Sequence, residues 1–189
     1  LRLNGALSIA ETKGRWQELQ RQATTAQLFD VDVRILDKEQ IKKDYPIVNT
    51  DEVLGGILMP GDGAADPSGV THMLAKGARM EGAQIFEKSP VEEILTKDGK
   101  ISGVKVNGQT INCEYIVLAS GMWSRQIAEK VGVSVPLYPA EHFYIITEPI
   151  ENLSKTLPVI RDFDNRTYIK EDAGKILVGI FEGNSIPAW

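Results

Sequence analysis

The chain has 189 residues, 42% of them apolar and 25% charged, with 21 Lys and Arg against 26 Asp and Glu. That length builds one ordinary domain or two small ones around a real core, and the composition excludes disorder, collagen and coiled-coil arrays. The net charge of -5 argues against a nucleic-acid partner, and the single cysteine, Cys113, excludes an internal disulfide or a Cys-based zinc site.

In chain order, residues 1–10 carry Leu3, Leu7 and Ile9 and read as a short strand. From Thr12, an N-cap, the period changes: Trp16, Leu19, Ala23 and Ala26 recur at three- and four-residue steps, as on an amphipathic helix. Val33, Ile35 and Leu36 give a brief strand. Asp37 with Gln40 three residues on then opens a helix that Tyr45-Pro46 closes. Residues 55–59 form another strand, followed by a loop. Asp66 caps the next helix, Pro67 occupies its first position, and Val70, Met73, Leu74, Gly77 and Ala78 make one stripe. Gly82 ends that helix, and 83–86 reads as a strand.

Residues 91–95, 101–106 and 110–113 are three strands joined by Asp98-Gly99 and Asn107-Gly108, whose residues accept the positive φ angles of tight hairpins. The apolar run 115–119 has the texture of a buried parallel strand. It breaks at Ser120-Gly121 into a helix over about 122–131, with Trp123, Ile127, Ala128 and Val131 inward. Beyond Pro136, residues 143–147, 159–161, 167–170 and 176–181 read as an antiparallel sheet. No apolar run approaches the roughly 20 residues that span a bilayer. The organisation is one α/β piece (60–132) flanked by segments, 1–59 and 133–189, that together build a second layer.

Four features look like sites. Gly61-Asp62-Gly63-Ala64-Ala65-Asp66 sits between a strand and a helix, but Asp66 stands where a dinucleotide fingerprint needs its third Gly. An N-cap carboxylate would also repel a pyrophosphate, so the motif reads as a capped loop. Ala119-Ser120-Gly121-Met122-Trp123 allows close approach of a flat ligand to the backbone, or is a tight strand-to-helix turn. In Glu141-His142-Phe143-Tyr144, His142 and Tyr144 share a strand face and are fit to hydrogen-bond or shuttle a proton in a pocket, or to make a polar edge. Arg161, Arg166 and Lys170 are candidates to hold a substrate carboxylate, or are solvated charges. Neither His142 nor His72 has a partner at metal-ligand spacing, so no metal is expected. There is no Gly-x-Ser-x-Gly elbow for hydrolase chemistry.

Several of these segments, in order and spacing, resemble one family. They are Asp66-Pro67-Ser68-Gly69-Val70-Thr71, Ala75-Lys76-Gly77-Ala78-Arg79, Gly82-Ala83-Gln84-Ile85, Ala119-Ser120-Gly121-Met122-Trp123, Val135-Pro136-Leu137, Glu141-His142-Phe143-Tyr144-Ile145-Ile146-Thr147-Glu148-Pro149-Ile150, Leu157-Pro158-Val159-Ile160-Arg161-Asp162 and Gly179-Ile180-Phe181-Glu182. The sequence resembles the middle of the dimethylglycine and sarcosine dehydrogenases, within the D-amino-acid-oxidase-like flavoproteins.

The resemblance implies an α+β fold: an FAD-domain fragment with a β-meander at 60–132, and a mainly antiparallel substrate-domain sheet with flanking helices from 1–59 and 133–189. It implies hydride transfer from an N-methyl amino acid to FAD, with the carbon leaving as formaldehyde or passing to tetrahydrofolate through a domain outside this chain. Val91, Ala119, Ser120, Gly121 and Trp123 would contact FAD. Tyr144 and His142 would face the substrate as catalytic groups. The family's Gly-rich first βαβ unit has no counterpart here. The chain is therefore expected to bind FAD weakly or not at all alone and to work with the remaining N- and C-terminal parts of its polypeptide. Alternatives are an O₂-using amino-acid oxidase of the D-amino-acid-oxidase type and a non-catalytic binding or assembly module. The family's habit places such proteins in bacterial cytoplasm or the mitochondrial matrix, with small-molecule partners rather than membranes.

Overall fold

The computed structural model describes residues 2–188, which divide into two compact units, residues 2–73 with 142–185, and residues 74–141 with 186–188. The division falls at residues 73/74 and 141/142, inside a helix and just before a strand.

The first unit is built on β1 (Ala6–Ala10), α1 (Lys13–Gln27), β2 (Arg34–Leu36), α2 (Lys38–Asp44), β3 (Gly55–Met59), the start of α3 (Pro67–Met80) and, after the second unit, β7 (Phe143–Ile146), β8 (Val159–Asp162), β9 (Thr167–Asp172) and β10 (Lys175–Ile180). Its strands form one sheet in the order β2-β3-β1-β8-β9-β10-β7. Every pairing is antiparallel except β1 with β8. Strand β1 is buried along its whole length, as a central strand covered on both faces must be. It starts later than the sequence suggests because Gly5, at φ 82°, turns the chain just before it.

Side chains alternate across this sheet, so each face has its own core. Leu7, Ile9, Ile160 and Ile176 point to one side, where Ile41 of α2, Val53 and Leu157 close over them. On the other side Ala10 and Ile57 meet Leu19 and Ala23 of α1. Gly55 leaves room for the Trp16 indole, which a Cβ there would strike. The capping signals act as read. Thr12 Oγ1 accepts the Arg15 N–H (3.2 Å), and Asp37 and Gln40 form a reciprocal capping box at 2.8 and 2.9 Å.

The second unit holds the end of α3, the meander β4 (Val91–Lys97), β5 (Lys100–Val106) and β6 (Gln109–Asn112), and α4 (Ser124–Glu129) after a single 3₁₀ turn at Gly121–Trp123. Asp98-Gly99 and Asn107-Gly108 have φ of 52°, 74°, 49° and 73°, the all-positive hairpin turns that those dipeptides specify. Asp66 caps α3 by accepting the Ser68 and Gly69 N–H groups, and Gly82, at φ 91°, ends it while the Ala83 N–H reaches back to the Ala78 carbonyl.

Three expectations need correction here. Residues 83–86 form no strand, because their backbone enters no ladder. Residues 115–119 likewise pair with no described strand, and Tyr115 and Val117 are 86% and 89% exposed. An apolar run becomes a buried strand only when neighbouring strands supply hydrogen bonds and cover. The helix expected over 122–131 is shorter, bounded by Gly121 and Gly132 at positive φ, and Trp123 lies 56% exposed instead of inward. The apolar stripe of α3 is also uncovered, with Met73 and Leu74 about two-thirds exposed.

No described helix is long and apolar enough to cross a membrane. No group of three or more His, Cys, Asp or Glu among the described residues is arranged to hold a metal.

Candidate functional site

One face of the first sheet carries a file of paired residues across five strands. Ser8 of β1 pairs with Arg161 of β8, Arg161 with Tyr168 of β9, Tyr168 with Gly179 of β10, and Gly179 with Tyr144 of β7. Directly paired residues share a face, so Arg161, Tyr168 and Tyr144 stand side by side. Lys170, two residues beyond Tyr168, lies on the same face in the next row, opposite Leu177.

Gly179 shapes this file. A Cβ at that position would fall within the ring and hydroxyl of Tyr168, so the missing side chain is what lets the tyrosine lie across β10. Two openings flank Arg161 and Tyr168. One, of about 410 Å³, is lined also by Gly63, Tyr144, Lys170 and Leu177; the other, of about 350 Å³, by Phe163, Arg166 and Phe181. Both are of the size that takes a small amino acid.

Arg161 is half-exposed and points an Nη2 at Asp62 Oδ2, 3.3 Å away. Lys170 is half-buried in the larger opening. Arg166 sits in the β8–β9 turn at φ 56°, its carbonyl accepting the Phe181 N–H (2.9 Å) and its guanidinium lying against Gly183. His142 stacks on Phe181 at 4.4 Å and 16°, with Tyr168 5.9 Å away. Its Nδ1 is 3.9 Å from Glu182 Oε2.

The shifted carboxyls lie beside this face and hold the sheet ends. Glu171 is lowered by the Gly174 N–H it accepts, with burial opposing and the Arg2 guanidinium at 2.6 Å assisting. For Asp164, burial pushes upward but is outweighed by the N–H groups of Glu11 and Thr12, the Thr12 hydroxyl and the Arg15 charge, so it too ends low. The Tyr45 hydroxyl is raised by burial and by Asp44, with Arg34 opposing.

The structure thus brings His142, Tyr144, Arg161 and Lys170 to one face, with Arg166 at its margin. Val91, Ala119, Ser120, Gly121 and Trp123 belong to the second unit. Val91 opens β4 and is 46% exposed, and Ala119 is exposed. Ser120 precedes the 3₁₀ turn with no side-chain capping bond, and Gly121, at φ 55°, has nothing within 4 Å of where a Cβ would stand. That turn is open to close approach of a ligand to its backbone.

Sequence reasoning missed Tyr168, Gly179, Phe181 and Glu182. Two signals were available: Tyr168 lies two residues from Lys170, hence on its face, and a lone Gly inside the apolar run 176–181 marks a close approach.

The family "FAD dependent oxidoreductase" (DAO) matches residues 1–187. Curated relatives include 4-methylaminobutanoate oxidase (formaldehyde-forming) of Paenarthrobacter nicotinovorans, 37% identical over 97% of this chain and 22% of that protein. The mitochondrial pyruvate dehydrogenase phosphatase regulatory subunit of Mus musculus is 31% identical over 98% of this chain and 21% of its own length. Mitochondrial sarcosine dehydrogenase of Homo sapiens is 32% identical over 97% and 20%. The chain spans about a fifth of these relatives. The crystal structure of L-proline dehydrogenase from P. horikoshii superposes with a TM-score of 0.88 at 27% identity, over all of this chain and 51% of that one. On the match along nearly its whole length, the chain belongs to the DAO family of FAD-dependent oxidoreductases.

Proposed function

We propose that this chain supplies the substrate-binding face, and part of the cofactor contact, of an enzyme that oxidises an N-methyl amino acid. The observation that carries the reading is the file Arg161–Tyr168–Gly179–Tyr144, with Lys170 beside it. It sets fixed cations next to phenol hydroxyls at an opening sized for a small zwitterion. The relatives' printed names, a methylaminobutanoate oxidase and a sarcosine dehydrogenase, support the N-methyl assignment.

Arg161 takes the substrate carboxylate in a charge-assisted pair, with Lys170 adding to the positive potential of the opening. This fixes the amine end relative to Tyr144 and His142. Tyr144 hydrogen-bonds the amine nitrogen, and His142 accepts its proton, because an ammonium has no lone pair with which to assist hydride loss. A bound FAD would supply the acceptor for the hydride lost from the N-methyl carbon. Water then adds to the substrate iminium, and formaldehyde departs from the demethylated amine. The open Ser120-Gly121 turn and the exposed Trp123 fit a flat cofactor with a polar tail, and Val91 and Ala119 would join them in holding it.

The test is anaerobic reduction of the flavin in the full-length protein by sarcosine, dimethylglycine and 4-methylaminobutanoate. The expected result is saturable reduction by at least one of the three. Tyr144→Phe should slow that reduction at saturation, and unchanged kinetics would remove Tyr144 from the reaction. If no N-methyl amino acid reduces the flavin, the reading fails.

A second reading, a non-catalytic module within a larger assembly, draws on the similarity to the mouse regulatory subunit. It would be favoured by a full-length protein that binds FAD yet is reduced by no amine.

A further inference from the structure

Glu182 has one carboxylate oxygen, Oε2, that is shielded from solvent and has no hydrogen-bond partner among the described residues. A carboxylate oxygen stripped of water needs a donor. Among the described residues, the basic group within 4 Å of Glu182 is the His142 imidazole, whose Nδ1 lies 3.9 Å from that oxygen. The distance is too long for a hydrogen bond but short enough for a modest side-chain rotation to close.

The imidazole packs against aromatic rings on one side. Its ring stacks on Phe181, 4.4 Å away at 16°, and Tyr168 flanks it at 5.9 Å. Phe181 immediately precedes Glu182, and its N–H is tied to the Arg166 carbonyl at 2.9 Å. Phe181 thus covers one face of the ring, with Tyr168 on the same side, and Nδ1 is the ring nitrogen within 4 Å of Glu182.

We infer that Glu182 is a positioning residue that keeps the proton of neutral His142 on Nδ1 and so leaves Nε2 with its lone pair as the proton acceptor. The consequence for turnover rests on the amine-oxidation reading above; the tautomer does not. In that reaction Nε2 forms a bond to a proton of the substrate ammonium. The N–H bond breaks, and its electron pair stays on nitrogen to assist hydride loss. Glu182 then stands beside the imidazolium that results, as carboxylates do behind histidine bases.

The experiment reads the tautomer directly. Long-range ¹H–¹⁵N correlation spectra of the labelled 189-residue chain are recorded at about pH 9, above the ordinary histidine range. The chain has two histidines, and His72→Gln assigns the signals. The expected result is His142 as the Nδ1–H tautomer, changing in Glu182→Ala towards the Nε2–H form that an unconstrained imidazole prefers. His142 as Nε2–H in the wild type would overturn the proposal. The wild-type spectrum decides this even if the variant folds poorly. In the full-length enzyme, Glu182→Ala should lower the limiting rate of flavin reduction at least tenfold with KM little changed. An Nδ1–H tautomer in the wild type with an unchanged rate in Glu182→Ala would overturn the role of Glu182 in turnover while leaving flavin reduction by the N-methyl amine itself in place.

Discussion

The ring of Tyr168 occupies the space where a side chain of Gly179 would be. The two residues are paired across β9 and β10, and the contact decides how far the phenol reaches toward Tyr144. Gly179→Ala should therefore destabilise the chain by about 1–3 kcal/mol through overpacking. On a Tyr168→Ala background the same change should cost less than about 0.5 kcal/mol, since the clashing partner is gone. Urea unfolding of the four proteins checks this, and equal costs in both backgrounds would refute the contact.

Arg161 is the cation that borders both openings. Arg161→Met in the full-length enzyme should raise KM for an N-methyl amino acid by about 10- to 100-fold, the worth of a charged hydrogen bond, with kcat little changed. The methyl ester of the same substrate should be insensitive to the variant. Arg166, which lies against Gly183 and borders only the smaller opening, serves as the control: Arg166→Met should leave KM within about twofold. Steady-state kinetics on the two variants separates the carboxylate anchors.

Glu171 ties the end of β9 to Arg2 and Gly174, and those contacts hold its carboxyl below the value of 4.5 for a free glutamate. A carboxyl with a lowered folded value stabilises the chain above the unfolded value, and the contribution disappears as pH falls through the folded one. Stability should accordingly drop as pH falls below about 4.5. Glu171→Gln should lower stability at pH 7 while removing part of that acid slope. Asp164, also lowered, adds to the slope in the same direction. Thermal melts between pH 7 and pH 3 check it. A slope unchanged in Glu171→Gln would show that other groups carry the acid sensitivity.

The capping box at the start of α2 is a local feature with a local cost. Asp37→Ala should destabilise the first unit by about 1 kcal/mol, because it leaves the Gln40 N–H without its acceptor. Denaturation midpoints at unchanged m-value would confirm this. A loss above about 2 kcal/mol would instead mean that Asp37 has a role beyond the cap.

Features that depend on adjacent residues could be read directly. The caps at Thr12, Asp37 and Asp66, the stop at Gly82 and the turns at Asp98-Gly99 and Asn107-Gly108 are each fixed by backbone groups a few positions away. The strands after Pro136 were found within a few residues by their alternation. Residues 115–119 and 83–86 failed for one reason: apolar texture records a need for cover but not whether a neighbouring strand meets it.

The sequence by itself determined the local elements, the family and a short list of polar candidates, because periodicity, caps and motif order are written in neighbouring positions. It could not say which candidates meet. Arg161, Tyr168, Gly179 and Tyr144 lie on four strands, and only the register of β8, β9, β10 and β7 sets them in one file. The approach of Glu182 to His142 spans forty residues and depends on Phe181 packing against the imidazole. Such pairings are settled by long-range hydrogen bonding and side-chain packing, which no window of adjacent residues contains.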